Sequence, residues 1–287
     1  MYFKEFIDFC QMSRNLSQKT VEHYADVLSI WSMYCAEHAV CPEDVTSFDI
    51  IDFMTEKRKA GCRASTINQY LVVVRSYYRF LVRFHFDLCN SNPVEDVEKM
   101  KEEKTLPVSL PKSLLDKVAE TLGGGTFKQI RSKAIFLCLY HCGLRRSEVC
   151  ALDQSSVDLT SRTLRVYGKG RKVRLVPMSK SLTEAMAAYV NAAAVIPWRE
   201  AFFVQQDGQR LQPHHVNYIV RQILVRFVSP KLAHPHILRH SFATICIEAG
   251  VSIENLAALM GHESVTTTMR YLSLSPSRLF QQIANVF

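Results

Sequence analysis

The chain has 287 residues, 48% of them hydrophobic, and a formal charge of +8 at pH 7, which provides for two apolar cores and points to a polyanionic partner. The N-terminal stretch MYFKEFIDFCQMSRN has no apolar run long enough for export or for spanning a membrane, and the nine cysteines include no CxxC pair. A disulfide framework, a zinc ribbon and a membrane partner are therefore not expected, and a soluble cytoplasmic protein with reduced thiols is.

The charge is unevenly divided. Residues 1–102 carry 12 Lys+Arg against 15 Asp+Glu, whereas residues 103–287 carry 23 against 12. The basicity thus belongs to the C-terminal part, as expected of a domain that grips nucleic acid or another polyanion.

From Phe3 to about Phe86 the apolar periodicity is helical, in FKEFIDFC, VEHYADVLSIWSMYCAEH and STINQYLVVVRSYYRFLVRF. In the last of these Tyr70, Val73, Val74, Tyr77, Leu81 and Phe84 share one face. Asn68, Arg75, Arg79 and Arg83 line another, at a pitch that can follow a phosphate backbone or can equally be a solvated helix face. The segment SNPVEDVEKMKEEKTLPVSLP then breaks the periodicity with three prolines and mixed charge, and reads as an exposed linker.

Past the linker, RSKAIFLCLYHCGLRRSEVCAL reads as a buried helix stopping at Gly143 and handing over to a second helix, with Arg145 at the junction. SSVDLT, TLRVY and KVRLVPM alternate as the strands of a small antiparallel sheet. Between the last two strands GKGRK makes a glycine-flanked turn carrying Lys169, Arg171 and Lys172. Arg162 to Arg174 contains six basic residues and no acidic one, so the hairpin suits a DNA groove or is merely solvated. Two further helices lie in SLTEAMAAYV and PHHVNYIVRQILVRF.

HPHILRHSFAT then opens a helix between Pro235 and Gly250. The expected core stripe is Leu238, Phe242, Ile245 and Ala249, with His236, Arg239, His240 and Ala243 opposite. Arg239 and a histidine one turn away can hold an anion between two nitrogen donors, or can belong to a solvated polar face. The histidine spacing matches no common zinc signature, so no metal site is expected.

GLRRSE, GKGRK, HPHILRH, MGHES and TTTMRY occur in the order and rough spacing of the tyrosine recombinase (phage integrase) family, and the chain resembles a compact, Xer-like member over its whole length. The resemblance implies a mainly α fold with a small antiparallel β-sheet. It divides the chain into a helical, SAM-like core-binding domain at 1–100, a linker at 101–107, and an α+β catalytic domain at 108–287 ending in an exchange helix. It also makes Arg145 and Arg239 the catalytic arginines, Lys169 the hairpin lysine, His236 the partner of Arg239, His262 the late histidine and Tyr271 the nucleophile. Cys142, where a Thr is common, and Glu263, where small polar residues are usual, are minor departures that leave these positions filled.

The chemistry of the residues agrees. A phosphodiester resists attack because its oxygens are anionic, and rigid arginine forks can supply the compensating charge without a metal or ATP. Tyr271 needs cationic surroundings or a base such as His236, because an unperturbed phenol titrates near ~10. The implied product is a 3′-phosphotyrosyl enzyme. The implied partners are double-stranded DNA and three further protomers, as a homotetramer or a heterotetramer with a paralogue, and no cofactor. A type IB topoisomerase, or a DNA-binding module without chemistry, uses part of the same residue set. No additional N-terminal arm-binding domain is expected. Glu148 and His240 read as supporting residues, and His214, His215 and His234 receive no role. The tail SPSRLFQQIANVF, with Leu279, Phe280, Ile283 and Phe287 at helical spacing, must bury its apolar face either on its own catalytic domain or, as the resemblance implies and as favoured here, on a neighbouring protomer as the exchange helix.

Overall fold

A computed structural model describes residues 2–42, 44–102, 108–168, 173–196, 200–261 and Thr268. The chain separates into two compact units, Met1–Lys104 and Thr105–Phe287. No helix among the described residues is long and apolar enough to cross a membrane.

The first unit is helical: α1 (Phe3–Met12), α2 (Gln18–Glu37), α3 (Ser47–Lys59) and α4 (Ala64–Phe84). Local chemistry starts the inner helices. The Ser17 hydroxyl accepts from the Thr20 N–H at the head of α2, and Thr46 and Asp49 form a reciprocal capping box on α3. The helices close around Trp31, Phe53, Tyr77 and Tyr78, all buried, with Trp31 and Phe53 packed edge to face at 5.1 Å. Sequence periodicity found α1, α2 and α4. It did not single out α3, whose apolar residues Phe48 and Ile51 stand exposed beside buried Ile50 and Phe53.

The polar stripe of α4 does not face solvent throughout. Val94 and Val97, expected in an exposed linker, are buried, and residues 92–102 lie along the stripe as a strap. Asn68, itself buried, donates to the Met100 carbonyl at 2.9 Å and to Glu102 at 2.7 Å, and accepts from the Met100 N–H at 2.9 Å. Arg75 donates to the carbonyls of Val94 and Val97 at 3.0 and 2.6 Å, and Arg79 pairs with Glu95 at 2.8 Å. Of the three arginines expected to face phosphate, Arg83 alone is exposed without an acidic partner among the described residues; its guanidinium lies over the Phe84 ring. The stripe exists, but it holds the chain's own backbone at Asn68 and Arg75.

The second unit comprises α5 (Lys112–Thr121), α6 (Phe127–Cys142), α7 (Arg146–Ala151), β1 (Val157–Asp158), β2 (Thr163–Tyr167), β3 (Val173–Pro177), α8 (Lys180–Ala193), α9 (Pro213–Leu224), α10 (Pro235–Glu248) and α11 (Ile253–Met260). The sheet is antiparallel in the order β1-β2-β3. The hairpin tip at 169–172 lies outside the described residues, so the expected groups Lys169, Arg171 and Lys172 are not placed. Helix α6 is buried on every side from Ala134 to Tyr140 and packs against α8 and α10. Its hydrophobicity therefore lacks a polar stripe, as a central helix requires. Leu110, also expected in the exposed linker, is buried, and its N–H donates to the Ser241 hydroxyl at 2.7 Å.

Helix α10 departs from the expected two-faced pattern. Arg239 and Ala243, placed opposite the core, are both buried, while Ala249 at the end of the apolar stripe is exposed. The helix is enclosed through most of its length, with Arg239, Ser241 and Thr244 buried and His236 and Glu248 exposed.

Two glycines end helices where no other residue fits. Gly143 stops α6 at φ +59, and a Cβ there would sit 2.3 Å from the Phe242 ring. Replacing Gly143 by Ala imposes both the left-handed backbone cost and the clash, so we expect a loss of roughly 2–4 kcal/mol in the second unit. Urea unfolding checks this; an unchanged midpoint would contradict the close packing of Gly143 against Phe242.

Candidate active site

The site is assembled where the ends of α6 and α11 meet the starts of α7 and α10 and strand β3. Gly143 turns the chain out of α6 so that Arg145 falls at the N-cap of α7, with extended backbone at φ −74 and ψ 149. Glu148, three residues on, reaches back: the Arg145 N–H donates to its Oε2 at 2.8 Å, and the Arg145 guanidinium donates to its Oε1 at 2.8 Å. The carboxylate is 5% exposed and sits among three arginines. Arg174, from β3, holds it by both oxygens, at 3.0 Å to Oε1 and 2.8 Å to Oε2. Arg239, from α10, approaches to 3.9 Å.

The same arginines close the C-terminal end of α11, where helical carbonyls lack partners of their own. Arg174 Nε donates to the Leu259 carbonyl at 2.7 Å, and Arg239 Nη2 to that of Met260 at 2.7 Å. Arg145 reaches the carbonyls of Met260 and Gly261, each at 3.3 Å. Arg239 Nη1 also donates to the Gly143 carbonyl. Three cations thus converge on the negative end of a helix dipole and on one carboxylate, which together offset part of their repulsion.

Burial by itself pushes the Glu148 carboxyl up. The Arg174 fork, the Arg145 N–H, the Arg174 charge and the Arg145 side chain outweigh it and hold the group below its ordinary value. Arg145 is the most open of the three arginines, with 35% of its side chain exposed against 12% for Arg174 and 6% for Arg239. The bonds above occupy three of its five N–H groups; among the described residues the other two have no partner.

His236 stands at the second position of α10, after Pro235, with its residue exposed at the surface. Its ring still loses water against the protein, and that desolvation, followed by the charges of Arg146, His234, Arg239 and Arg145, lowers its pKa below 6.5. These surroundings favour the neutral imidazole, the form that can accept a proton. His234 and His215 also acquire roles: the Nδ1 of each accepts a backbone N–H at a helix start, from Ile237 at 3.2 Å and Gln212 at 3.1 Å.

Among the expected catalytic residues, the structure brings Arg145, Arg239 and His236 together. Lys169, His262 and Tyr271 lie outside the described residues. Arg174 and the α11 carbonyls were not singled out from sequence. Among the described residues, the only cluster with ligand spacing for a metal is Glu37, His38 and Glu56 in the first unit; there His38 already bonds Glu56 at 2.9 Å.

Residues 98–278 match the phage integrase family and residues 3–85 match the phage integrase N-terminal SAM-like domain. A tyrosine recombinase XerC of Bacillus licheniformis is 31% identical, with 96% of this chain and 92% of the relative covered. A XerD of Oceanobacillus iheyensis is 28% identical over 96% and 94%. In fold, the chain is similar to the Tn1549 transposon integrase in complex with a circular intermediate DNA, at TM-score 0.77 and 18% identity, covering 94% of this chain and 93% of the other. It is equally similar to the XerH site-specific recombinase bound to palindromic difH substrate, at TM-score 0.77 and 17% identity, covering 98% and 84%. The chain belongs to the phage integrase family of tyrosine recombinases.

Because the folded Glu148 carboxyl holds its proton less tightly than the unfolded one, its contribution to stability is complete above the ordinary value of 4.5. That contribution drains away as pH falls from there through the depressed folded value. We expect Glu148→Gln to cost about 3 kcal/mol at pH 7, since it strands the Arg174 and Arg145 charges. The deficit relative to wild type should shrink as pH falls below 4.5. Unfolding titrations from pH 7 to pH 3 check this; a pH-independent deficit would mean that the carboxylate's charge is not what holds the cluster.

Proposed function

We propose that this enzyme cuts and rejoins DNA at specific sites through Tyr271, with Arg145 and Arg239 as the groups that neutralise the phosphate under attack. The observation that carries the reading is the arginine cluster. Three guanidinium groups share one carboxylate, so the site retains net positive charge, and its most open member, Arg145, keeps two donors without a partner among the described residues. Such a site is built for an oxyanion, and it is organised before substrate arrives.

In the proposed reaction the Tyr271 phenolate oxygen forms a bond to phosphorus and the bond to the 5′-oxygen of the next nucleotide breaks. The phenolic proton passes to His236, whose surroundings favour its neutral form. Lys169 supplies a proton to the departing 5′-oxygen, and His262 donates to a nonbridging oxygen. The 3′-phosphotyrosyl bond conserves the phosphodiester's energy, so a 5′-hydroxyl from another strand can reverse the step and complete an exchange. These steps draw on the chain's own acids, bases and cations.

Four protomers on two DNA sites fit this chemistry, because each exchanged strand needs one nucleophile. The apolar tail after Ser275 is suited to link one protomer to the next. None of the nine cysteines is joined in a disulfide, and this supports a cytoplasmic setting.

Tyr271→Phe should bind DNA with near-normal affinity, because the grip rests on phosphate contacts, but form no covalent adduct on a nicked duplex whose cleaved fragment diffuses away. Denaturing electrophoresis reads the outcome. Adduct from the Phe variant would refute the assignment, and relaxation of supercoils without exchange between two duplexes would favour a topoisomerase.

A further inference from the structure

Arg174 is the member of the cluster to which the family motifs give no role. It lies on the inner face of β3 with Val176, opposite Val166 of β2 in the sheet register. All three nitrogens of its guanidinium are committed within the protein, Nε to the Leu259 carbonyl and the two Nη to the two oxygens of Glu148. Its side chain is largely buried, so it is a poor candidate for a phosphate ligand and a good one for a bracket.

The bracket joins two parts of the site. On one side is Glu148, which orients Arg145 through both its backbone N–H and its guanidinium. On the other is the last turn of α11, whose next carbonyls receive Arg239 and Arg145. The chain continues from that turn to His262 and Tyr271, one and ten residues beyond Gly261. Gly261 makes room for the bracket, since a Cβ there would meet Arg174 Nη1 at 2.8 Å.

We infer that Arg174 is a positioning residue for strand cleavage: by occupying both oxygens of Glu148 and the Leu259 carbonyl, it lets Glu148 orient Arg145 without neutralising it, and it fixes the end of α11 from which the nucleophile segment departs. The inference rests on the recombinase reading above. With the bracket removed, Glu148 has Arg145 at 2.8 Å and Arg239 at 3.9 Å as its remaining cations, and both are drawn away from phosphate. Lysine cannot replace it. A single ammonium is a point donor that cannot span two carboxylate oxygens and a carbonyl from one planar fork.

The test compares wild type, Tyr271→Phe and Arg174→Lys in single-turnover cleavage of a nicked duplex, alongside DNA affinity at fixed salt. A second duplex carries sulfur in place of the bridging 5′-oxygen; a thiolate leaves without a proton, yet still requires a neutralised phosphate and an aligned tyrosine. We expect Arg174→Lys to bind DNA within about threefold of wild type and to cleave about 100-fold more slowly on both duplexes, the size of a misalignment effect. Cleavage at the wild-type rate would overturn the inference. So would recovery on the sulfur duplex alone, which would place Arg174 in proton delivery from the hairpin, or loss of DNA binding together with cleavage, which would reduce it to a fold element. Absence of adduct from wild type, or adduct from Tyr271→Phe, would instead bring down the recombinase reading and this inference with it.

Discussion

The Glu148 carboxylate is the interaction on which the arrangement of the second unit's arginine cluster depends. A site for a phosphodiester needs several cations close together, and cations in a half-buried cleft repel one another and lose hydration. One buried carboxylate, shared by Arg145 and Arg174 and approached by Arg239, offsets part of that cost while leaving the cluster positive. The end of α11 supplies the remainder: its carbonyls give the guanidinium groups fixed acceptors that carry only partial charge. The site is held rigid by partners too weak, taken together, to cancel it.

The backbone is shaped to that end. Gly143 and Gly261 each adopt the left-handed conformation at the close of a helix. In doing so the first offers its carbonyl to Arg239 and the second its carbonyl to Arg145. At these two positions a helix stop is also an arginine acceptor. A substitution at either glycine alters folding and charge placement together, which couples the stability of the second unit to its electrostatics.

Much of this could be read from the sequence, and the unread part has a physical reason. The helices α1, α2, α4, α6 and α10, the antiparallel sheet and the helix stop at Gly143 follow from periodicity and glycine chemistry. Arg145, His236 and Arg239 stood out as basic residues in motifs whose order is informative, and the structure gathers them. Arg174 did not stand out. By hydrophobicity, VRLVP turns Val173 and Leu175 inward, yet the register buries Val176 and directs Arg174 to the same face, leaving Val173 and Leu175 exposed. A buried ion pair inverts the usual polarity of a strand, and no local pattern reveals its distant partner. The strap at 92–102 was hidden for a related reason. Its charged, proline-containing sequence looks like a linker, and the groups that hold it, Asn68 and Arg75, look like a solvated stripe. Each is explained only by the other.

The central claim is that Arg145 and Arg239 act by neutralising phosphate charge. The most direct measurement replaces one nonbridging oxygen of the scissile phosphate with methyl, which removes that charge, and compares adduct formation by wild type, Arg145→Ala and Arg239→Ala. If the arginines serve the charge, the loss seen in each variant on ordinary DNA should be largely restored on the neutral methylphosphonate. Variants that remained as inactive on the neutral substrate as on the charged one would contradict this account.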